Sequence, residues 1–401
     1  MIVEFPRMKG MRGFSIAIVA GARPNFMKIA PIARALRERA GIARESGIDL
    51  RVSVVHTGQH YDENMSEVFF RELEIPTPDR HLEVGSGSHA EQTARIMVAF
   101  EKYLLQEKPD WVVVVGDVNS TIGCALPAKK LGVKVAHVEA GLRSFDMSMP
   151  EEINRKLTDA ICDLLFVTEE SGVRNLRAEG VAPEKVFVVG NVMIDTLLRN
   201  KAKIERPDFV PSPAVKTFWD KSRRYGVLTL HRPSNVDRRE TLAPIWEVLL
   251  EIAQRIPILF PVHPRTRAKI GEFGLNKNGI TLVDPIGSLD MLFIVKGALL
   301  VLTDSGGLQE ETTVLGIPCI TIRENTERPV TVEQGTNYLA GTAPTMILSA
   351  ANAVLSGRGK KGTVPALWDG RAAERIADIL LRQETQSRDV PSTMPDRRVK
   401  G

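Results

Sequence analysis

The sequence contains few cysteines and few aromatic residues, and it lacks a long apolar run. Its three cysteines, Cys124, Cys162 and Cys319, lie far apart without a CxxC pair, so we expect neither a disulfide scaffold nor a structural zinc site, and a reducing cytoplasm fits. No apolar run approaches the ~18 residues of a membrane span. The first residues (MIVEFPRMKGMRG) lack the apolar core of a secretory signal, and we interpret them as an extension ahead of the first strand.

An excess of one charge is also missing. The 53 basic and 49 acidic residues leave a net charge of +4, and the 5% of aromatic residues are not interleaved with any basic run. This composition gives no support to a nucleic-acid or membrane-surface partner. The 43% hydrophobic content is that of an ordinary globular protein.

Two kinds of segment alternate along the chain and predict an α/β fold. Short, continuously apolar runs are typical of strands buried on both faces, and longer stretches such as 31–40 and 91–105 have helical periodicity. The predicted strands are 14–21, 51–58, 111–117, 134–141, 164–169 and 186–191, followed after a proline-rich stretch by 226–232, 257–264, 280–285, 299–307 and 318–323. Two such sets predict two Rossmann-like, doubly wound domains with an interdomain cleft.

The length of 401 residues exceeds the usual size of a single core and also favours two domains. We predict a first domain over 1–190, including the extension 1–13, and a second domain over 191–366. A final helix over 367–383 is expected to pack back on the first domain. Residues 384–401 have the composition of a disordered tail.

Polar residues cluster where the predicted strands end. In open parallel sheets, ligands bind at the carboxyl ends of the strands, so this regularity predicts an active site between the domains. The residues concerned are Arg23, Asn25, Lys28, His56, Gln59, His60, Asp117, Asn119, Ser120, Glu139, Arg143, His231, Arg232, His263, Asp284, Asp304 and Ser305.

The stretch TDSGGLQEE (303–311) combines a strand end, a glycine pair and a helix start. Backbone N–H groups of Ser305, Gly306 and Gly307 would then lie at a helix N-terminus, which suits a phosphate, although a simple helix cap explains the same pattern. Glu311 lies about one turn further on, where a carboxylate can reach a ribose hydroxyl pair.

The stretch GARPNFMK (21–28) is not a GxGxxG dinucleotide fingerprint, and the chain contains no Walker A loop. These absences disfavour an NAD-dependent dehydrogenase and a P-loop enzyme. Arg23 and Lys28 are either solvated helix charges or, opposite a phosphate-binding turn in the second domain, cations suited to a diphosphate.

His231 and His263 each follow a buried strand. A lone histidine there is more often a structural residue, but two beside the phosphate-binding turn favour contact with a leaving group for one of them. The pair His56 and His60 has i,i+4 spacing within a glycine-containing turn, and we do not expect it to bind a metal.

Three carboxylates, Asp117, Glu139 and Glu151, are the acid/base candidates. Alternatively, Glu139 forms an ion pair with Arg143. Glu151 and Glu152 can likewise be the acidic first turn of a helix, where the helix dipole favours negative charge. A charged side chain at the end of a buried strand is costly unless it is paired or functional, which favours a functional role for Asp117 and Glu139.

Eight motifs in order resemble one family. They are GARPNFMKIAP, GDVNST, HVEAGLRSFDMSMPEEINR, GNVMIDTL, LTLHRPSNVD, FPVHP, LTDSGGLQEE and ERPVT. From about residue 14 to 380 the chain is similar to the non-hydrolysing UDP-N-acetylglucosamine 2-epimerases. The resemblance implies a two-domain glycosyltransferase-B-like fold, a UDP-binding second domain and a homodimer. It also implies interconversion of UDP-N-acetylglucosamine (UDP-GlcNAc) and UDP-N-acetylmannosamine (UDP-ManNAc) for cell-surface polysaccharide precursors, without a cofactor or metal.

The resemblance implies roles for individual residues as well. UDP leaves and returns through a 2-acetamidoglucal intermediate, while carboxylates exchange the C2 proton on both faces of the sugar. The residues matching catalytic groups are Asp117, Glu139, Glu151, His231 and Lys28. The candidate substrate contacts are Arg23, Arg143, His263, Met291 (in the uracil-binding region 284–291), Ser305, Gly306, Gly307, Glu311 and Arg328.

Other functions stay open at this point. They are a sister epimerase acting on a diacetamido-uronic acid UDP-sugar, a hydrolysing epimerase, and a retaining glycosyltransferase or silent UDP-sugar-binding module of the same fold. One motif departs from the family, because the QHRxM-type activator motif is replaced by Gln59-His60-Tyr61-Asp62. We therefore expect weak or no activation by a second UDP-GlcNAc.

Overall fold

The structure, a computed structural model, describes residues 12–21, 23–45, 48–58 and 77–389. Within these ranges the chain forms a seven-stranded sheet in the order β3-β2-β1-β4-β5-β6-β7 and a six-stranded sheet in the order β10-β9-β8-β11-β12-β13. All of these strand pairs are parallel. The strands are β1 Arg12–Ala20, β2 Ile48–His56, β3 Arg80–His81, β4 Trp111–Val115, β5 Lys134–Ala140, β6 Leu164–Val167, β7 Val186–Val188, β8 Gly226–Thr229, β9 Ile258–Pro261, β10 Ile280–Val283, β11 Leu300–Thr303, β12 Cys319–Thr321 and β13 Asn337–Leu339.

Helices connect the strands within each sheet. They are α1 Arg23–Glu45, α2 His89–Glu107, α3 Asn119–Lys130, α4 Pro150–Ile161, α5 Glu170–Ala178, α6 Val192–Ile204, α7 Pro213–Lys221, α8 Pro233–Val236, α9 Arg239–Ala253, α10 Pro264–Glu272, α11 Ser288–Lys296, α12 Gly306–Leu315, α13 Pro329–Glu333, α14 Pro344–Leu355 and α15 Ala372–Asp389, with a 3-10 turn at Pro183–Lys185.

Each sheet reverses its strand order at one place, between β1 and β4 in the first and between β8 and β11 in the second. Crevices at the carboxyl ends of the strands open at such points. The predicted fold of two doubly wound parallel domains is confirmed. Two edge strands, β3 and β13, were not predicted, because runs of 2 and 3 residues carry no readable apolar pattern.

The side chains of β1 alternate between two apolar cores. Phe14, Ile16 and Ile18 pack with α1 and α15 on one face, whereas Ala17 and Val19 pack with α2 and α3 on the other. Because both faces are covered, a central strand such as β4 (WVVVV) is buried at every position. The second sheet is covered in the same way, by α9 and α14 on one face and by α7 and α11 on the other.

The last helix crosses back to the first domain. Three of its side chains belong to the core formed by β1 and α1, namely Ala372, Ile376 and Leu380. The sequence predicted a helix end at 383 and disorder from 384, but α15 continues to Asp389. The extension has a tertiary cause that composition does not reveal, because the buried Glu384 accepts a hydrogen bond from Nε1 of Trp111 (3.1 Å). Residues 1–11 and 390–401 lie outside the described residues.

A small apolar cluster connects the two domains. Trp368, in the segment that leads to α15, packs with Ile194 of α6, Leu292 of α11 and Val330 of α13. Its indole Nε1 donates to the carbonyl oxygen of Thr168, just beyond β6, at 3.0 Å. The end of the first sheet is thereby tied to helices of the second domain.

Candidate active site

Lys28 and Glu139 form a buried ion pair at the carboxyl edge of the first sheet. The end of β5 bulges between Val138 and Ala140, and Glu139 takes a left-handed φ of 68°, which costs a non-glycine residue about 1–2 kcal/mol. Nζ of Lys28 lies 2.5 Å from Oε2 of Glu139, whereas the buried Oε1 has no hydrogen-bond partner among the described residues. Such strain and an unsatisfied buried oxygen are typical of functional sites, and Oε1 retains the capacity to accept a proton.

Asp117 follows β4 and lies next to this pair. A Cβ on the preceding Gly116 would lie 3.2 Å from Nζ of Lys28 and 3.6 Å from Oε2 of Glu139, so the turn passes directly beside both groups. The Asp117 carboxylate accepts hydrogen bonds from Nη2 (2.6 Å) and Nε (3.0 Å) of Arg155. Burial raises the pKa of Asp117, but the charges of Arg155 and Lys28 outweigh it, so the pKa is lowered and the carboxylate is ionised at neutral pH.

The two glutamates at the start of α4 have different surroundings. Glu152 is fully buried and accepts hydrogen bonds from the backbone N–H of Ser144 (2.9 Å) and from Nη1 of Arg155 (2.6 Å). It therefore holds the loop before α4 in place. Glu151 is half-buried, and its charge reaches the second domain. There, burial lowers the pKa of Arg232, and Glu151 is one of the carboxylates whose charge opposes this lowering.

On the second sheet, His231 follows β8 and is held by a buried aspartate. Nδ1 of His231 lies 2.9 Å from Oδ1 of Asp304, which follows the neighbouring β11 and also accepts from the backbone N–H of Arg232 (2.8 Å). Burial raises the pKa of Asp304, but the bond from His231 outweighs it, so the pKa is lowered. Among the described residues, Nε2 of the half-exposed His231 ring has no hydrogen-bond partner, which leaves it available to a ligand.

The phosphate-binding turn predicted from the sequence begins α12. The first N–H groups of a helix have no intrahelical partner, and the Ser305 side chain does not cap them here. A Cβ on Gly306 would lie 2.7 Å from Nη1 of Arg328, whereas a Cβ on Gly307 would have its nearest neighbour at 3.9 Å. Gly306 thus allows a guanidinium to lie against a helix N-terminus, and the two together favour a phosphate group.

Arg328 brings the charges of both domains together. Its Nε lies 2.7 Å from Oε1 of Glu310, and its Nη1 lies 3.4 Å from Oε2 of Glu327. Burial lowers the pKa of Arg328, but Glu310 and Glu327 raise it well above its ordinary value, and two carboxylates of the first domain add to this. These are Glu139 and Asp117. The acids of one sheet edge and the cations of the other therefore share one site.

The comparison with known proteins agrees with this geometry. A sequence profile of the family described as UDP-N-acetylglucosamine 2-epimerase matches residues 42–381. The chain belongs to this epimerase family. The UDP-N-acetylglucosamine 2-epimerase of Methanocaldococcus jannaschii is 44% identical over 372 residues, which cover 91% of this chain and 98% of the relative. The UDP-2,3-diacetamido-2,3-dideoxy-D-glucuronate 2-epimerase of Pseudomonas aeruginosa is 40% identical over 371 residues, which cover 92% and 99%.

A solved structure of an epimerase of this family has the same fold. The crystal structure of the M. jannaschii UDP-GlcNAc 2-epimerase in complex with UDP-GlcNAc and UDP matches with a TM-score of 0.81 at 42% identity, covering 92% of this chain and 100% of that chain. The family, the glycosyltransferase-B-like fold and the class of enzyme predicted from the motifs are confirmed.

The prediction for Arg143 needs a correction. Its Nε and Nη2 donate to Glu179 (2.9 and 2.6 Å), its Nη1 donates to a backbone carbonyl, and Nη2 also lies 2.7 Å from Asp159. Because its guanidinium is buried and bonded within the first domain, Arg143 is a structural residue, not the predicted substrate contact. The alternative ion pair of Glu139 with Arg143 is not formed either, since Glu139 pairs with Lys28.

The remaining predicted contacts have varied surroundings. The exposed His263 caps α10, with Nδ1 accepting from the backbone N–H of Arg265 (3.3 Å), and Met291 packs against the apolar core between the second sheet, α7 and α11. Glu311 is half-buried, and burial together with Glu310 raises its pKa to about 7. The roles predicted for these residues stay predictions. The side chain of Arg23 and residues 59–62 lie outside the described residues. The predictions for Arg23, for His60 and for the activator motif therefore fall outside them as well.

Three charged residues of the site were not selected from the sequence. Glu310 is buried, and burial and the charge of Glu139 raise its pKa against the opposing Arg328. Arg155 binds Asp117 and lies 3.9 Å from Glu327. Each lies inside a motif that we selected from the sequence (PEEINR, GGLQEE, ERPVT). The available signal was a charge next to a selected residue, for Glu310 and Glu327, or one helical turn after it, for Arg155.

A pH-dependent stability is expected from Glu169, which lies between the domains. It is buried, Ser171 donates to Oε1, and burial raises its pKa from 4.5 to about 7. The folded state therefore holds a proton that the unfolded state releases, so the free energy of unfolding falls as pH rises from about 4.5 to 7. Glu169→Gln should remove a contribution on the order of 1–3 kcal/mol to this fall.

The free energy of unfolding, measured with denaturant between pH 5 and 8 in steps of about one pH unit, tests this effect. The exposed neighbour Glu170, changed to glutamine, is the matched control and should keep the wild-type slope. Parallel profiles of wild type and Glu169→Gln would contradict the assignment.

Proposed function

We propose that the protein inverts C2 of UDP-GlcNAc to give UDP-ManNAc by elimination and re-addition of UDP. The observation that carries this proposal is the pairing of Asp117 and Glu139, at neighbouring strand ends, with Arg328 and a helix N-terminus across the interdomain site. Acids on one side and an anion-binding group on the other are what this reaction needs.

The first step breaks the bond between C1 and the diphosphate oxygen, and the electron pair leaves with UDP. Arg328 and the N–H groups at the start of α12 stabilise the negative charge that develops on the diphosphate. His231, with Nδ1 held by Asp304 at 2.9 Å, presents Nε2 to the departing oxygen. Lys28 places a second cation beside the acids.

The second step removes the proton from C2. Once C1 carries positive charge this proton is acidic, and the C2–H electron pair forms the C1–C2 double bond of a 2-acetamidoglucal while a carboxylate takes the proton. Glu139, with its unpartnered Oε1, and the ionised Asp117 are the acceptors, and Glu151 completes the set. Protonation of C2 from the other face and return of UDP to C1 give the epimer.

A second substrate class is supported by one relative. The 2-epimerase of P. aeruginosa named for UDP-2,3-diacetamido-2,3-dideoxy-D-glucuronate is 40% identical over 92% of this chain. Both reactions invert C2 and need the same acids, so the alternative differs only in the groups at C3 and C6. A hydrolysing epimerase would also admit water to the glucal, and a retaining glycosyltransferase would not need acids on both faces of the ring.

Incubation with UDP-GlcNAc in D₂O, followed by NMR of the sugar, tests the proposal. We expect UDP-ManNAc with deuterium at C2. Free ManNAc would indicate the hydrolysing reaction. Absence of exchange with UDP-GlcNAc, together with exchange into the diacetamido-uronate, would move the assignment to the second class, and absence with both would reject C2 epimerisation.

We further propose that the enzyme is a cytoplasmic homodimer that supplies precursors of cell-surface polysaccharides. Exposed apolar side chains on and beside α4 support a contact with a second copy, and they are Phe145, Met147, Ile153 and Leu157. A monomeric mass by light scattering would contradict the dimer. In the described ranges, every helix is too short or too polar to span a bilayer.

A further inference from the structure

A buried histidine lies behind the two acids. His137 of β5 is completely buried, with Nδ1 2.7 Å from Oδ1 of Asp159 on α4 and Nε2 2.8 Å from the carbonyl oxygen of Gly116. Neither His137 nor Asp159 has a part in the steps described above. Asp159 also accepts the backbone N–H of Gly141 (3.0 Å) and lies 2.7 Å from Nη2 of Arg143.

The bonds of this pair define its protonation state. A carbonyl oxygen carries no proton, so Nε2 of His137 must donate to Gly116. Oδ2 of Asp159 accepts the backbone N–H of Gly141 and pairs with the guanidinium of Arg143, so the carboxylate is ionised. Nδ1 of His137 must then donate to Oδ1 as well. The ring is therefore an imidazolium. The Glu179 carboxylate beside Arg143 balances the second positive charge of the network.

The bonds end on the backbone next to both acids. Gly116 precedes Asp117 and has a φ of 70°, and Gly141 lies two residues after Glu139 and has a φ of 78°. The N–H of Gly116 also donates to the carbonyl oxygen of Val138, at 3.0 Å, so the turn carrying Asp117 is bonded to β5 on both sides of Gly116. A Cβ on Gly141 would lie 2.5 Å from a backbone oxygen of Gly172, which leaves this turn no room to shift.

We propose that His137 and Asp159 are positioning residues, a buried imidazolium–carboxylate clamp that fixes the turns bearing Asp117 and Glu139 relative to each other. The clamp acts only through the backbone of these turns and does not touch the phosphate-binding turn of the second domain. This inference rests on the proposed function for its kinetic test, because the reaction needs both acids at one sugar carbon.

Asp159→Asn and His137→Gln are the test variants. Asparagine at 159 cannot accept from Arg143, Gly141 and His137 as an ionised carboxylate does, and we expect kcat to fall about 10- to 100-fold, the effect of a displacement of about 1 Å in catalytic groups. The affinity for UDP should stay within about twofold, because the diphosphate site is separate. Glutamine at 137 keeps a donor toward Gly116, so His137→Gln should retain more activity than His137→Leu.

Asp163 provides the matched control. At the opposite end of β5 it also accepts a backbone N–H, from Val135 (2.7 Å), and binds a cation, Lys129 (2.7 Å). Asp163→Asn should lower stability in the same manner but leave kcat unchanged. An equal fall of kcat in Asp159→Asn and Asp163→Asn, or equal activity of His137→Gln and His137→Leu, would overturn the proposal.

Ring ¹⁵N NMR of the histidines in the wild-type chain gives a readout that does not depend on turnover. We expect one buried imidazolium with both nitrogens protonated, and its signals should vanish in His137→Gln. A neutral His137 ring would overturn the clamp even if epimerisation is observed. If the wild type turns over no UDP-sugar but the imidazolium is present, the proposed function fails while the clamp stands.

Discussion

Glu139→Gln is expected to reduce kcat by about 10²-fold or more, because it removes a carboxylate that we propose exchanges the C2 proton. The amide is nearly the same size and can remain at the end of β5, but it cannot accept a proton from carbon. Glutamine also loses the charge that pairs with Lys28 at 2.5 Å, so Lys28 gains freedom without creating a clash. UDP should bind about as tightly as to the wild type, since the main contacts proposed for its diphosphate, Arg328 and the start of α12, lie on the second domain.

The measurements are steady-state turnover of UDP-GlcNAc, C2 deuterium exchange and calorimetric UDP binding. Asp117→Asn should give a loss of the same order, because Asp117 lies beside the same ion pair. Asp146→Asn is the control, since this acid lies in the same motif but, within the described part of the chain, its carboxylate bonds only to Ser148 of its own loop. A loss of less than about fivefold for both Glu139→Gln and Asp117→Asn would return these carboxylates to a structural role.

Arg328→Met is expected to affect both stability and binding. The change leaves Glu310 and Glu327 buried without this cation, and breaking a buried ion pair by removing one partner costs about 3–5 kcal/mol. The same change removes the guanidinium that lies against Gly306, so the affinity for UDP should fall by about 10- to 100-fold, corresponding to one lost charge-assisted hydrogen bond of about 1.5–3 kcal/mol. Thermal unfolding and calorimetry measure the two effects separately.

The double variant Arg328→Met with Glu310→Gln separates the two roles. Glutamine removes one of the buried charges, so part of the lost stability should return. The affinity for UDP should not recover, because no cation is restored at the helix N-terminus. Recovery of UDP binding with recovery of stability would show that Arg328 acts only through the fold.

The position of the candidate site residues in the fold could be predicted from the sequence because one topological rule governs it. Asp117 and Glu139 follow strands of the first parallel sheet, and His231 and Ser305 follow strands of the second; in each sheet the carboxyl ends of the strands lie at one edge. The predicted strands also have the right order and type, since continuous apolar runs require burial on both faces.

The choice of partner for each charge could not be predicted in this way. Arg143 is four residues from Glu139, yet it turns inward to Asp159, and Lys28 from a distant helix takes its place. Glu151 and Glu152 are adjacent, yet Glu152 is buried because its side of α4 is covered by the preceding loop, whereas Glu151 is only half-buried. Which charges pair with each other depends on tertiary packing, and this cannot be inferred from the local sequence.

The return of α15 to the first domain has a consequence for synthesis of the chain on the ribosome. The first sheet emerges early, but Ala372, Ile376 and Leu380, which complete the core over β1, are translated only after the whole second sheet. Until they leave the exit tunnel, the apolar face of α1 and β1 is open to solvent. The first domain is thus expected to bind chaperones while the second domain is being translated, and to become resistant to proteases only after α15 has emerged from the ribosome.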